Sequence, residues 1–182
     1  LGDVYKRQPH FWRVTLSFGL WWFAGAIVYI QIASFLVEKG FTTASAATYV
    51  IVFGAANCLG WIAFGWLSDR IGSVWSYRAA VLTCAAASSG FAANDRTTVI
   101  AVIVGLLGFG IGGVSAELIA VSVDLFGTRA AGAMMGTVLA LMGILGAGGP
   151  LVSGYVFDAV QSYGLAFYGG GAVFLLALLL TS

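Results

Sequence analysis

Polar and charged residues cut this chain into six long apolar runs, at about 13–37, 44–67, 75–93, 97–122, 130–156 and 163–181. Each is near the roughly 20 residues that an α-helix needs to cross the hydrocarbon core of a bilayer. Lipid offers no hydrogen-bond partners to a backbone, so a run of this kind crosses as a helix, whose N–H and C=O groups satisfy one another. The breaks between runs carry turn chemistry, in EKGFTT, AANDRTT and DAVQSYG. The pattern predicts an all-α membrane protein with six transmembrane helices. The third run, SYRAAVLTCAAASSGFAA, is rich in alanine and contains Arg78 near its start, from where the side chain can snorkel to the interface.

Composition agrees with the pattern. Hydrophobic residues make up 60% of the chain and charged residues 8%, against roughly a quarter charged in a soluble domain. With a mean hydropathy of +1.00 there is too little polar surface for a water-facing shell, and lipid must solvate most side chains. The net charge of +1 gives no support for a nucleic-acid partner. Cys58 and Cys84 both lie in apolar runs and read as small buried hydrophobes, not as a disulfide or a metal pair. The single histidine, His10, lies outside the first run with no partner for metal or nucleophilic chemistry, so an enzyme with a cofactor or metal is not expected.

Basic residues set the expected orientation. Arg13, Arg70, Arg78 and Arg129 fall on one side of the six-helix arrangement, with Lys39 and Arg96 on the other. The positive-inside rule places the first group, and both ends of the chain, in the cytoplasm, as for a multi-pass protein of the plasma (inner) membrane. Residues 1–8, LGDVYKRQ, have no place in this scheme and lack the apolar core of a signal peptide. They are what CTC GGA GAT GTG TAT AAG AGA CAG would encode, a string resembling the end of a transposon-based sequencing adapter. They read as an artefact, with the native sequence starting near Pro9.

Two short segments stand out where the apolar runs end. GWLSDRIG, at 65–72, places Asp69 beside Arg70, and DLFGTRAAGAMMG, at 124–136, places Asp124 before Arg129. The second run also ends in Gly65-x-x-x-Asp69 and the fifth in Gly154-x-x-x-Asp158, an echo expected of two three-helix units of opposite topology. Gly65, Leu67, Asp69, Arg70 and Gly72 match the G-x-L-x-D-R-x-G loop of the major facilitator superfamily. The segment at 124–136 is similar to the one that joins that family's tenth and eleventh helices. The basic pair that usually follows the last glycine is replaced by Ser73 and Val74, as in the weaker copy of the loop found in the C-terminal half.

Residues 9–182 thus resemble the C-terminal half of a major facilitator transporter: six helices, two inverted three-helix repeats, half of a twelve-helix fold. The resemblance implies a secondary transporter working by alternating access, with a missing N-terminal six-helix half as partner and a small-molecule substrate, with or without protons. It also implies that Gly65, Asp69, Arg70, Gly72, Asp124 and Arg129 form a cytoplasmic latch. An Asp there can cap the N-terminal amides of a neighbouring helix, and Arg70 can pair with an acid. GPLVSGYVFDAVQSYGLAFYGGG looks like the monocarboxylate and oxalate/formate branch, with Gly154, Asp158, Ser162 and Tyr163 in its turn. Carriers of that branch often hold the carboxylate with a cation, yet Trp61 stands at the corresponding arginine position. Export or symport of another solute class, a sugar or a drug, and a non-transporting receptor on the same fold remain open readings.

The uncharged polar residues of the helices that would face the cavity are Tyr29, Gln31, Asn57, Ser115 and Thr137. Tyr29 and Gln31 are about 200° apart around a helix and cannot both point at one substrate. Glu117 is the only acid inside an apolar run. Intramembrane acids usually face a bundle interior or a wet cavity, which makes Glu117 the coupling candidate. It lies nearly on the face of Asp124, so it can equally extend the charge cluster toward Arg70 or Arg129, or make an interhelical hydrogen bond. Gly108, Gly110 and Gly113 spell G-x-G-x-x-G, but inside one apolar run they read as close helix packing and not as a dinucleotide loop. GILGAGGP at 143–150 reads the same way, with Pro150 adding a bend.

Overall fold

The computed structural model describes residues 9–94 and 96–181. The described residues are helical apart from short turns: α1 (Pro9–Glu38), α2 (Thr43–Ile71), α3 (Ser73–Ala93), α4 (Thr97–Val160) and α5 (Gly164–Leu179). α4 is two helices joined at Gly127, which has φ 70° and ψ 161°. A side chain is strained at that φ, so a glycine is what permits the bend. Its two arms, Thr97–Leu125 and Met135–Val160, correspond to the fourth and fifth apolar runs. The helix ends obey local chemistry. Thr42 caps α2 by accepting a bond from the Ser45 N–H (3.2 Å), and Gln161 ends α4 in the left-handed conformation.

Four segments are long and apolar enough to cross a membrane: Phe11–Glu38, Thr43–Ile71, Thr97–Leu125 and Met135–Val160. This is the architecture of an all-α membrane protein. The other two predicted crossings differ for separate reasons. α5 has 16 residues, short of a full span. α3 is long enough, at 21 residues, but turns polar side chains inward. Ser76, Tyr77 and Ser88 are buried and bond across to other helices: Tyr77 Oη to Ser17 Oγ on α1 (2.7 Å), Ser88 Oγ to the Phe167 carbonyl on α5 (2.8 Å). Ser17 also donates to the Ala177 carbonyl (2.6 Å), tying α1, α3 and α5 together. A hydropathy average counts these groups as polar, although each has a protein partner.

The apolar core gathers around α1 and the first arm of α4, whose most apolar windows are 56% and 50% buried. At one end Phe35, Phe91 and Phe167 pack ring on ring, with centroids 4.6–5.1 Å apart, joining α1, α3 and α5. By contrast only 17% of the α2 window and 22% of the second-arm window are buried. Cys84 is buried as expected, whereas Cys58 is exposed, because α2 packs along one side only.

Glycines set the spacing between the helices. A Cβ on Gly108 would collide with the Phe53 carbonyl, and one on Gly112 with the Asn57 carbonyl, while Gly60 of α2 faces the Phe109 carbonyl in the same way. Gly110 turns the other way, and its Cβ would lie 2.8 Å from Cys84 Sγ on α3. The glycine-rich run is therefore a wedge with α2 on one flank and α3 on the other. Gly146 and Gly149 bring the second arm against Trp22 and Phe23 of α1 similarly.

These contacts predict opposite signs for two alanine substitutions seven residues apart on one helix. Gly112→Ala forces α2 and α4 apart and should cost about 1–3 kcal/mol. Gly105→Ala, where a Cβ meets nothing within 4 Å, should stabilise by about 0.5–1 kcal/mol. Unfolding of each variant in mixed micelles, followed by circular dichroism, measures both.

Candidate functional site

The GWLSDRIG segment closes α2 and opens α3. Gly72, with φ 88° and ψ 150°, is the one residue between the two helices, and its N–H bonds the Ser68 carbonyl (2.9 Å). No residue with a Cβ adopts this φ without strain, which accounts for the final glycine of the motif. Gly65 lies inside α2, half-buried, with space around its Cα. Asp69 and Arg70 belong to the last turn of α2 and are exposed. Arg70 places its guanidinium 4.0 Å from the centre of the Trp66 ring. Among the described residues it forms no ion pair, and Asp69 caps no helix. Asp124 is exposed near the end of the first arm of α4. The side chain of Arg129 lies outside the described residues.

What fastens this hairpin to the bundle is Glu117. The side chain is 0% exposed. Its Oε2 accepts from Ser68 Oγ (2.9 Å), in the last turn of α2, and its Oε1 is bonded to Ser76 Oγ (2.7 Å), in the first turns of α3. Ser76 Oγ also lies 3.1 Å from the Phe64 carbonyl of α2. A hydroxyl has one proton. When Ser76 gives it to the carboxylate, Phe64 O keeps only its helix bond; when Glu117 is protonated, the acid donates to Ser76 and Ser76 donates to Phe64 O. The network accommodates both forms by rotating one hydroxyl. No arginine pairs with Glu117 among the described residues, and its two bonds run between helices, to α2 and to α3. Ser68 and Ser76 were not singled out in the sequence, although both flank the Asp-Arg pair.

The five cavity candidates separate in space. Ser115 lines an open cavity of about 380 Å³ bordered by α1, α2 and both arms of α4, together with Trp22, Trp61, Met135 and Met142. Its hydroxyl bonds the Ile111 carbonyl of its own helix (2.9 Å). Gln31 is engaged elsewhere: its amide donates to Ser153 Oγ (3.2 Å), which donates to the Pro150 carbonyl (3.0 Å), tying α1 to the second arm. Tyr29 is exposed and packs edge-on against Phe53, with ring centroids 5.6 Å apart. Asn57 is half-buried on α2, and Thr137 bonds its own helix at the Ala133 carbonyl (3.2 Å). Apart from Ser115, none of the five lines this cavity. Its wall offers indole, thioether and aliphatic surface, with no cation among the described residues.

The opposite end of the bundle has a carboxylate of its own that the sequence pattern did not mark. Glu38, closing α1, accepts from Ser162 Oγ (2.6 Å) and from the Tyr163 N–H (2.9 Å) at the start of α5. An anion there caps the positive end of the α5 dipole. Lys39 beside it donates to the Asn94 carbonyl (2.8 Å). Among the described residues no group of His, Cys, Asp and Glu could hold a metal ion. No protein-family model matches the chain, and no curated protein matches it.

A double-mutant cycle tests the Glu117 clasp. Glu117→Ala and Ser76→Ala should be non-additive by about 0.6–1.7 kcal/mol, from the average to the upper end for interhelical hydrogen bonds inside membrane proteins. The readout is the unfolding free energy in mixed micelles, and additive losses would mean that the two side chains do not interact.

Proposed function

We propose that the chain forms one wall of a secondary transporter of the major facilitator type, six helices that carry a small organic solute by alternating access. The observation that carries this reading is the Glu117 clasp, where a buried intramembrane carboxyl fastens the G-x-L-x-D-R-x-G hairpin to a cavity-lining helix. A motif at a helical joint is a weak signal alone. Bonded to an acid that fits either protonation state, on the same helix as Ser115, it becomes a route by which a proton at one point biases the helices around a solute.

The second wall is a further six-helix unit. Supporting this, α2 and the second arm of α4 flank the cavity and leave most of their surfaces uncovered. In this arrangement α3 and α5 complete six crossings, the end bearing Arg13, Arg70 and Arg78 faces the cytoplasm, and Asp69 meets its capped helix across the joint between the walls. A monocarboxylate-type solute suits the DAVQSYG turn, but the wall described here has no cation to hold it. The counter-charge then comes from the second wall.

Reconstitution tests the reading. Proteoliposomes of the twelve-helix assembly should take up a radiolabelled monocarboxylate saturably, and those of residues 9–182 alone should not. Saturable uptake by the six helices alone, or none by the assembly for any small organic solute, overturns it. Within the active assembly, Glu117→Gln should lose accumulation driven by a pH gradient and keep solute exchange in the absence of a gradient. Equal loss of both would reduce Glu117 to a structural role.

A further inference from the structure

A second cavity, about 580 Å³, opens on the outer side of α3 and α5, away from the cavity described above. Its walls are Ile71, Ala79, Leu82 and Leu178, with Trp75 and Arg78 completing the lining. The volume lies within the roughly 300–1,000 Å³ of small-molecule sites. Arg78 sits in the first turns of α3, at the end of the bundle where Arg13 and Arg70 also lie, and its guanidinium is 4.7 Å from the Trp75 ring centre. Trp75 itself is 62% exposed. An indole and a guanidinium together at a helix end mark the headgroup level of a bilayer, with the aliphatic walls below it.

Among the described residues the guanidinium is held by uncharged groups alone. Its Nε donates to Thr181 Oγ1 (3.4 Å) and one terminal nitrogen donates to the Thr181 carbonyl, both uncharged acceptors. Among the described residues no carboxylate pairs with it. A guanidinium has five N–H donors, so donors remain for a further acceptor. A half-buried cation at the edge of hydrocarbon favours an anion that can reach it without leaving the lipid phase, and a planar guanidinium matches a phosphate with two parallel bonds.

We infer that this groove is a binding site for an anionic phospholipid, its phosphate on Arg78, its headgroup against Trp75, and one acyl chain along Leu82 and Leu178. Charge complementarity selects the occupant: a basic pocket between helices at the membrane surface recognises anionic headgroups. An extended peptide segment would bring backbone N–H and C=O groups that these aliphatic walls cannot satisfy.

Native mass spectrometry of the 182-residue chain in detergent tests the site, with phosphatidylglycerol, phosphatidylcholine and inorganic phosphate titrated separately. Phosphatidylglycerol should bind about fivefold more tightly than phosphatidylcholine, the value of one interfacial cation, and inorganic phosphate should give no adduct. Arg78→Gln should abolish the preference, Arg78→Lys should keep most of it, and Arg96→Gln, an exposed arginine at the other end, should leave it unchanged. Leu82→Trp, which fills the groove, should weaken both lipids alike. The site is overturned if Arg78→Gln keeps the preference, if Arg96→Gln removes it, or if phosphate alone competes with the lipid. Should Arg78→Gln fail to fold, unchanged phosphatidylglycerol binding by Leu82→Trp overturns it equally.

Discussion

The distance between α2 and the first arm of α4 is the constraint on which the rest depends. The two helices run parallel, and at Phe53 against Gly108 and Asn57 against Gly112 the backbone of one rests where the side chains of the other would be. Continuing along both helices from that contact leads to Ser68 and Glu117, which lie within hydrogen-bonding reach because the approach upstream is so close. In lipid there is no hydrophobic gain in bringing two apolar helices together, so packing and interhelical hydrogen bonds decide where each helix sits. Glycine supplies the first and the buried carboxyl the second.

Polar groups inside the bundle follow the same logic. Ser17, Ser76, Ser88 and Ser153 are all buried, and each is bonded to a carbonyl or a side chain on another helix. Such groups would be expensive facing lipid, and each is cheap where a partner is already fixed in place. Bonds of this kind specify register, which uniform apolar surfaces do poorly.

Much of the fold was legible because apolar run length measures a helix directly. The boundaries of all six runs fall within a few residues of helix ends or of the bend, and the break between the fourth and fifth runs contains the bend at Gly127. Packing by the glycine run was also readable, since small residues inside a lipid-solvated helix have few other uses. Pairing across helices was not. Nothing in the local sequence says that Gln31 reaches Ser153, more than a hundred residues later, or that Ser68 and Ser76 converge on Glu117. Serine is common enough in apolar helices that its presence alone carries no address. The exposure of Cys58 was hidden for a related reason: all faces of α2 are apolar, so periodicity cannot tell the side that meets protein from the side that does not.

The joint at Gly72 limits how the hairpin can move. One residue spans at most about 3.8 Å between successive Cα atoms, and the N–H of this one is already committed to Ser68. There is no slack to absorb a displacement. If the end of α2 slides along its neighbour by more than a small fraction of a turn, α3 must be drawn with it, like the second limb of a bent rod. Because α3 is bonded in turn to α1 and α5, a push at this corner is shared by the whole inner bundle, and the only local freedom left is a change in the angle at which the two limbs meet.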